Sequence, residues 1–178
     1  MTTKYHTYIL LLLLISFTAC TMGNLKEVKV YYDGGEIKQK YYFQEGRYQG
    51  VFLEYYENGN IKMRCKFDDG LLTDTGFLYY EDGSLKAITE YKKGLKNGMF
   101  LLLTNQGDTL EKGTYSTNFM NGDWSFYDSS GKIMEQTSFA LEKRMGKSFK
   151  FEKGVLDSVF TYFNDSLINS YKESNSQN

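Results

Sequence analysis

The chain contains no proline, two cysteines and one histidine among its 178 residues. The lack of proline excludes proline-rich linkers and leaves no position at which a backbone ladder would lose an N–H, which suits long runs of strand. The lone histidine, His6, falls in an apolar amino-terminal leader. The rest of the chain therefore lacks the commonest general base and the commonest metal ligand, so neither an enzyme nor a metal site is expected. The cysteines are Cys20 and Cys65. If Cys20 is consumed by a modification, Cys65 has no disulfide partner and is too few for a thiolate metal site. Charge of either sign is not in excess: 21 Lys and Arg stand against 22 Asp and Glu, for a net charge of −1. That balance gives no electrostatic basis for binding nucleic acid, and no cofactor motif is present. What the chain does have is aromatic residues, 17% of the total, with 16 Tyr and 13 Phe. Together with 41% hydrophobic residues, they exclude disorder for most of the chain.

Residues 1–20 read MTTKYHTYILLLLLISFTAC. A basic residue, Lys4, precedes an apolar run from Tyr8 to Phe17 and the small residues Thr18 and Ala19, the order of a secretory signal. The run is shorter than the roughly 20 residues a membrane-spanning helix needs. Phe17-Thr18-Ala19-Cys20 resembles the lipobox of bacterial lipoproteins, with Phe in place of the usual Leu. The resemblance implies a signal peptide over 1–19, lipidation at Cys20 and a short linker over 20–29. It also implies a membrane anchor, since several acyl chains hold where one is marginal. Thr21, rather than Asp, after the lipidated residue implies the outer membrane. A plain signal peptide with an incidental Cys, or a retained signal anchor, are the other readings of this segment.

An internal period dominates the remainder. Gly35, Gly59, Gly83, Gly107 and Gly131 are each 24 residues apart. At the same period run Tyr31, Tyr55, Tyr79, Leu103 and Tyr127, then Ile37, Ile61, Leu85, Thr109 and Ile133. A column of Phe43, Phe67, Tyr91, Tyr115 and Phe139 follows, and another of Gly50, Asp74, Gly98, Gly122 and Gly146. Around the periodic Gly, pairs such as Asn58-Gly59 and Asp82-Gly83 predict two-residue type I′ hairpin turns. With Asn58-Gly59 as the turn, Tyr56 is expected opposite Ile61, Tyr55 opposite Lys62, Glu54 opposite Met63 and Phe52 opposite Cys65. Ile61, Met63, Cys65 and Phe67 alternate with Lys62, Arg64 and Lys66, a strand with one apolar face. The second turn of each unit, as in residues 44–50 or 92–98, is expected to be longer. Five units and a degraded cap, whose Gly154 falls one residue out of step, predict an all-β, elongated antiparallel meander over 30–168. A polar tail is expected over 169–178.

The units Tyr-Tyr-Glu-Asn-Gly-Asn-Ile-Lys at 55–62 and Tyr-Tyr-Glu-Asp-Gly-Ser-Leu-Lys at 79–86 resemble MORN repeats. The 24-residue spacing is similar to that of the bacterial MORN-variant repeats of YwqK-type antitoxins. The resemblance extends over roughly 30–146 and implies an elongated hairpin-repeat fold and, by the family label, neutralisation of a toxin.

Lys38, Lys62 and Lys86 are expected to face Tyr31, Tyr55 and Tyr79 across the turns, and where unit four has Leu103 the facing residue becomes Leu110. Such a ladder of rings and ammonium groups serves cross-strand packing, and it also forms a strip able to receive a glycan, a lipid headgroup or an acidic protein edge. Trp124, in the column of Phe52 and Phe100, is expected in the core. Carboxylates such as Asp68-Asp69, and Asp33, Glu57, Glu81 and Asp128 near the turns, fit turn chemistry. The expected function is that of a membrane-anchored, non-catalytic protein-binding or scaffold module, with a toxin-neutralising role, or glycan or lipid-headgroup binding through the Tyr and Lys strip, as the alternatives.

Overall fold

The computed structural model describes residues 23–173. They form a single antiparallel sheet without a helix. The strands are β1 (Lys26–Tyr31), β2 (Ile37–Gln44), β3 (Arg47–Tyr48), β4 (Gly50–Tyr55), β5 (Ile61–Asp68), β6 (Leu71–Tyr79) and β7 (Leu85–Lys92). They continue as β8 (Leu95–Leu103), β9 (Thr109–Ser116), β10 (Phe119–Tyr127), β11 (Ile133–Ala140), β12 (Lys143–Glu152), β13 (Val155–Phe163) and β14 (Ser166–Lys172). Each strand pairs with the next in sequence, except that the two-residue β3 is a side branch on β2. At roughly 4.8 Å per strand the sheet is about 58 Å long. The elongated all-β meander expected from the period is the fold.

The two kinds of turn exchange the roles expected of them. At the periodic Gly, the Tyr56 N–H donates to Asn60 O (2.9 Å) and the Gly59 N–H to Tyr56 O (3.0 Å), enclosing a three-residue loop. Gly59 has φ of 85°, while Asn58 is not in the left-handed region, so the loop is not type I′. It has the form of a type I turn followed by a left-handed residue. The same pair of bonds recurs at Tyr32, Tyr80, Thr104 and Asp128. The type I′ turns are instead the second ones. Glu45-Gly46, Asp69-Gly70, Lys93-Gly94, Thr117-Asn118, Leu141-Glu142, Lys153-Gly154 and Asn164-Asp165 all hold positive φ at both positions, as the two-residue loop requires. The cap's Gly154 is out of step because its hairpin closes through this shorter loop.

The expected register nevertheless holds in the strand bodies. Phe52 pairs with Cys65 and Glu54 with Met63, but Tyr55 pairs with Ile61. A three-residue loop shifts the pairing by one, and leaving Lys62 as an extra residue on β5 shifts it back. Near the second turns the register also slips: Lys66 pairs with Thr73 and Arg64 with Phe77, so residues 74–76 face Cys65 alone. The positive-φ column Gly50, Asp74, Gly98, Gly122 and Gly146 lies at these offsets. That conformation is the reason four of its five members are glycine.

Both ends of the sheet extend past the expected domain limits. β1 begins inside the stretch read as a linker, and β14 occupies part of the stretch read as a tail. In β1, Val28 and Val30 alternate with Lys29 as in the other strands, and the Glu173 N–H donating to Asp157 O (2.8 Å) fastens the end of β14. The core is a thin row: Phe52, Cys65, Ala87, Trp124 and Val159 are the buried apolar residues among those described. Trp124, only 1% exposed, is stacked on Phe100 at 5.6 Å and meets Tyr115 edge-on at 5.0 Å. It is packing, as its column indicates.

Candidate functional site

The Lys column occupies the extra positions. Lys38, Lys62 and Lys86 are each left out of the pairing between β1 and β2, β4 and β5, and β6 and β7. A bulge re-aims its side chain. The three ammonium groups therefore do not face Tyr31, Tyr55 and Tyr79. They lie over the neighbouring column, Lys38 above Tyr32 at 5.3 Å, Lys62 above Tyr56 at 5.9 Å and Lys86 above Tyr80 at 5.2 Å. The internal covariation moves with them: unit four has Thr104 with Leu110, and unit five Asp128 with Met134. The signal for the true partners was present one column away from where the two-residue turn placed it.

Those tyrosines also join the units. Tyr32 Oη–H donates to Tyr55 O (2.7 Å), Tyr56 to Tyr79 O (2.9 Å) and Tyr80 to Leu103 O (2.7 Å). Each hydroxyl reaches the next hairpin's backbone, a bond of about 1 kcal/mol. Tyr55 and Tyr79 thus contribute carbonyls, and Tyr31, 55% exposed, stands at the free edge. Asn58 and Asn60 add amide bonds to Glu81 O at 2.9 and 2.8 Å. In Asp82 and Asp128 the carboxylate accepts from Ser84 and Ser130, which holds each below the usual carboxylate range.

The strip is not uniformly basic. Lys62 donates to Glu54 Oε1 at 2.9 Å, which holds its ammonium above the usual range. At the β1 end a cleft of about 480 Å³ brings Tyr31, Tyr32 and Lys38 together with Asp33, Glu36 and Glu57. Three carboxylates around one ammonium do not favour an anion there. Of the carboxylates away from this cleft, Asp69 pairs with Arg47 and Asp68 accepts from Gln49. Among the described residues no cluster of His, Cys, Asp and Glu is arranged to hold a metal ion.

Cys65 is a free thiol, 5% exposed on the apolar face, and burial pushes it up to about 11. A thiol so protonated is a poor nucleophile at neutral pH. Cys20, the expected lipidation site, lies outside the described residues.

Comparison with known proteins agrees with this geometry. The profile of the MORN repeat variant matches residues 48–69, 75–93 and 120–140. No curated protein matches the chain. The matches fall on the hairpins β4–β5, β6–β7 and β10–β11. The intervening hairpin β8–β9 is not matched, and it is the unit that has Leu103-Thr104-Asn105-Gln106 where the better units have two tyrosines and an acid. Its turn keeps the same two backbone bonds, from the Thr104 N–H to Asp108 O and from the Gly107 N–H to Thr104 O. The chain therefore carries segments similar to the MORN repeat variant at three of its hairpins, and the turn geometry of those hairpins recurs in the unmatched β8–β9 unit.

Proposed function

We propose that the protein is a non-catalytic scaffold of the bacterial cell envelope, anchored by lipid on Cys20, whose sheet binds another protein. The observation that carries this reading is the single layer. Nothing in residues 23–173 packs as a second layer on either face. Within the sheet the hydroxyls of Tyr32, Tyr56 and Tyr80 are engaged by backbone carbonyls and the carboxylates of Asp82 and Asp128 by serines. MORN repeats generally act as protein- or lipid-binding modules, which supports a binding role. The likeness to YwqK-type proteins makes a toxin the alternative partner.

The test has two parts. Cells expressing the native chain or Cys20→Ala are labelled with palmitate and fractionated; the native chain is expected to carry label in the outer-membrane fraction and the variant to lose both. Partners crosslinked to the native chain are then identified and recombined in purified form. Stoichiometric binding supports the scaffold, and growth rescue on co-expression identifies the partner as a toxin. Equal fractionation of the two forms, without label, would falsify the anchor. Failure of every purified partner to rebind would refute the scaffold.

A further inference from the structure

The inward column Phe52, Gly76, Phe100, Trp124 and Ser148 lacks a ring at Gly76 and at its last member, Ser148. Phe52 lies in one aromatic cluster, 5.8 Å from Tyr41 and 6.0 Å from both Tyr48 and Phe67. Phe100 lies in another, 5.5 Å from Tyr115 and 5.6 Å from Trp124. Between them stands Gly76, and Tyr91, the ring of the next column, is within aromatic distance of no other described ring. It leans over Gly76 instead: a Cβ added there would lie 3.0 Å from Tyr91 Cε2 and 3.7 Å from Cys65 Cβ. The lean does not close the gap. A cavity of about 140 Å³ remains, walled by Met63, Cys65, Phe67, Leu72 and Tyr91 over the floor at Gly76.

We infer that this gap is a binding site for one aromatic ring. Three properties define the ligand. Size is the first: the gap, open to solvent on one side, has about the volume of the enclosed apolar cavity, about 150 Å³, that is known to take benzene. Polarity is the second, because the wall is apolar apart from the hydroxyls of Thr89 and Tyr91, so a charged group entering it would lose its hydration without replacement. Shape is the third, because a ring fills the equivalent place on both sides of the gap, Phe52 in the unit before and Phe100 and Trp124 in the two after, with Ser148 only in the last unit. A ring at Gly76 would bridge the two aromatic clusters and meet Tyr91 as Phe52 meets Phe67. Ring pairs in such geometry gain roughly 0.5–1.5 kcal/mol beyond their buried area. The ring can belong to a small molecule or to a phenylalanine of a bound polypeptide, and the site stands whether or not the scaffold reading does.

The experiment titrates the purified full chain, methyl-labelled at Met and Leu, with benzene and separately with N-acetylphenylalanine amide. Benzene is expected to give saturable shifts at Met63 and Leu72 and none at Leu102 or Met120. Gly76→Phe, which fills the gap from its floor, is expected to weaken binding at least tenfold. Leu72→Phe fills it from the wall and gives the same reading if Gly76→Phe does not fold. Binding of both probes assigns the site to a side chain of a partner as well as to free rings; binding of benzene alone restricts it to small molecules. No saturable shift with benzene, or equal shifts in a folded filled variant, overturns the site.

Discussion

Trp124 is buried in a one-layer sheet because Gly113, on the neighbouring strand, has no side chain. A Cβ at Gly113 would lie 2.2 Å from Trp124 Cδ2, and Trp124 Nε1–H donates to Thr114 O at 3.1 Å, so the indole is fixed and has no room to retreat. Gly113→Ala is expected to destabilise the protein by about 1–3 kcal/mol through overpacking. Urea unfolding followed by Trp124 fluorescence should show a lower midpoint with an unchanged slope; an unchanged midpoint would mean that the indole moves freely. The sequence placed Trp124 in the core column but did not indicate Gly113. The column facing the large residues reads Tyr41, Cys65, Thr89, Gly113 and Thr137, with no period of its own in size, and only the cross-strand geometry pairs the largest ring with the smallest neighbour. The lysines show a related limit. Their covariation was visible in the repeat, but assigning it to Tyr32, Tyr56 and Tyr80 required knowing that Lys38, Lys62 and Lys86 are extra residues.

At the scale of the element, the hairpins were legible and their closures were not. Asn-Gly is compatible with a two-residue loop and also with the last two residues of a three-residue one, because both need positive φ at Gly. Conversely, Thr117-Asn118 and Leu141-Glu142 carry no glycine yet adopt two-residue type I′ turns. There the backbone is set by neighbours: the Glu142 N–H donates to Met120 O (2.9 Å), and Glu142 Oε2 accepts from the Met120 N–H (2.6 Å). Leu141 has φ of 49° and is 61% exposed, so it bears the cost of a left-handed Cβ without packing in return. Leu141→Asn, which leaves the Glu142 bonds in place, is expected to stabilise the protein by roughly 0.5–1 kcal/mol, since Asn tolerates this region. The check is an upward shift of the urea midpoint. A downward shift would mean that Leu141 makes contacts its exposure does not suggest.

At the scale of the molecule, the period fixed the order of strands, and the structure adds how unequal their surroundings are. Interior strands have a neighbour on both sides, whereas β1 and β14 each have one. All seven residues of β14 are exposed, with Ile168 at 64%. Native-state hydrogen exchange should therefore be graded, slowest in β7, β8 and β9 and fastest in β14, as in arrays whose units are stabilised by nearest neighbours. Uniform protection across the hydrogen-bonded amides would instead indicate one all-or-none unit. The limits of the sheet were the least legible part at this scale, because an edge strand needs only one apolar face or one partner and therefore carries half the usual pattern.

The placement of β1 and β14 at opposite edges also decides how the protein carries tension. A pull between residues 26 and 172 runs across the strands, along the direction of the ladder bonds, so every seam bears the same load in series. Under such loading bonds open one after another, as in a zipper, rather than shearing together. The molecule is then an extensible element that yields at its weakest seam, and each released strand of eight residues pays out roughly 26 Å of chain at 3.3 Å per residue.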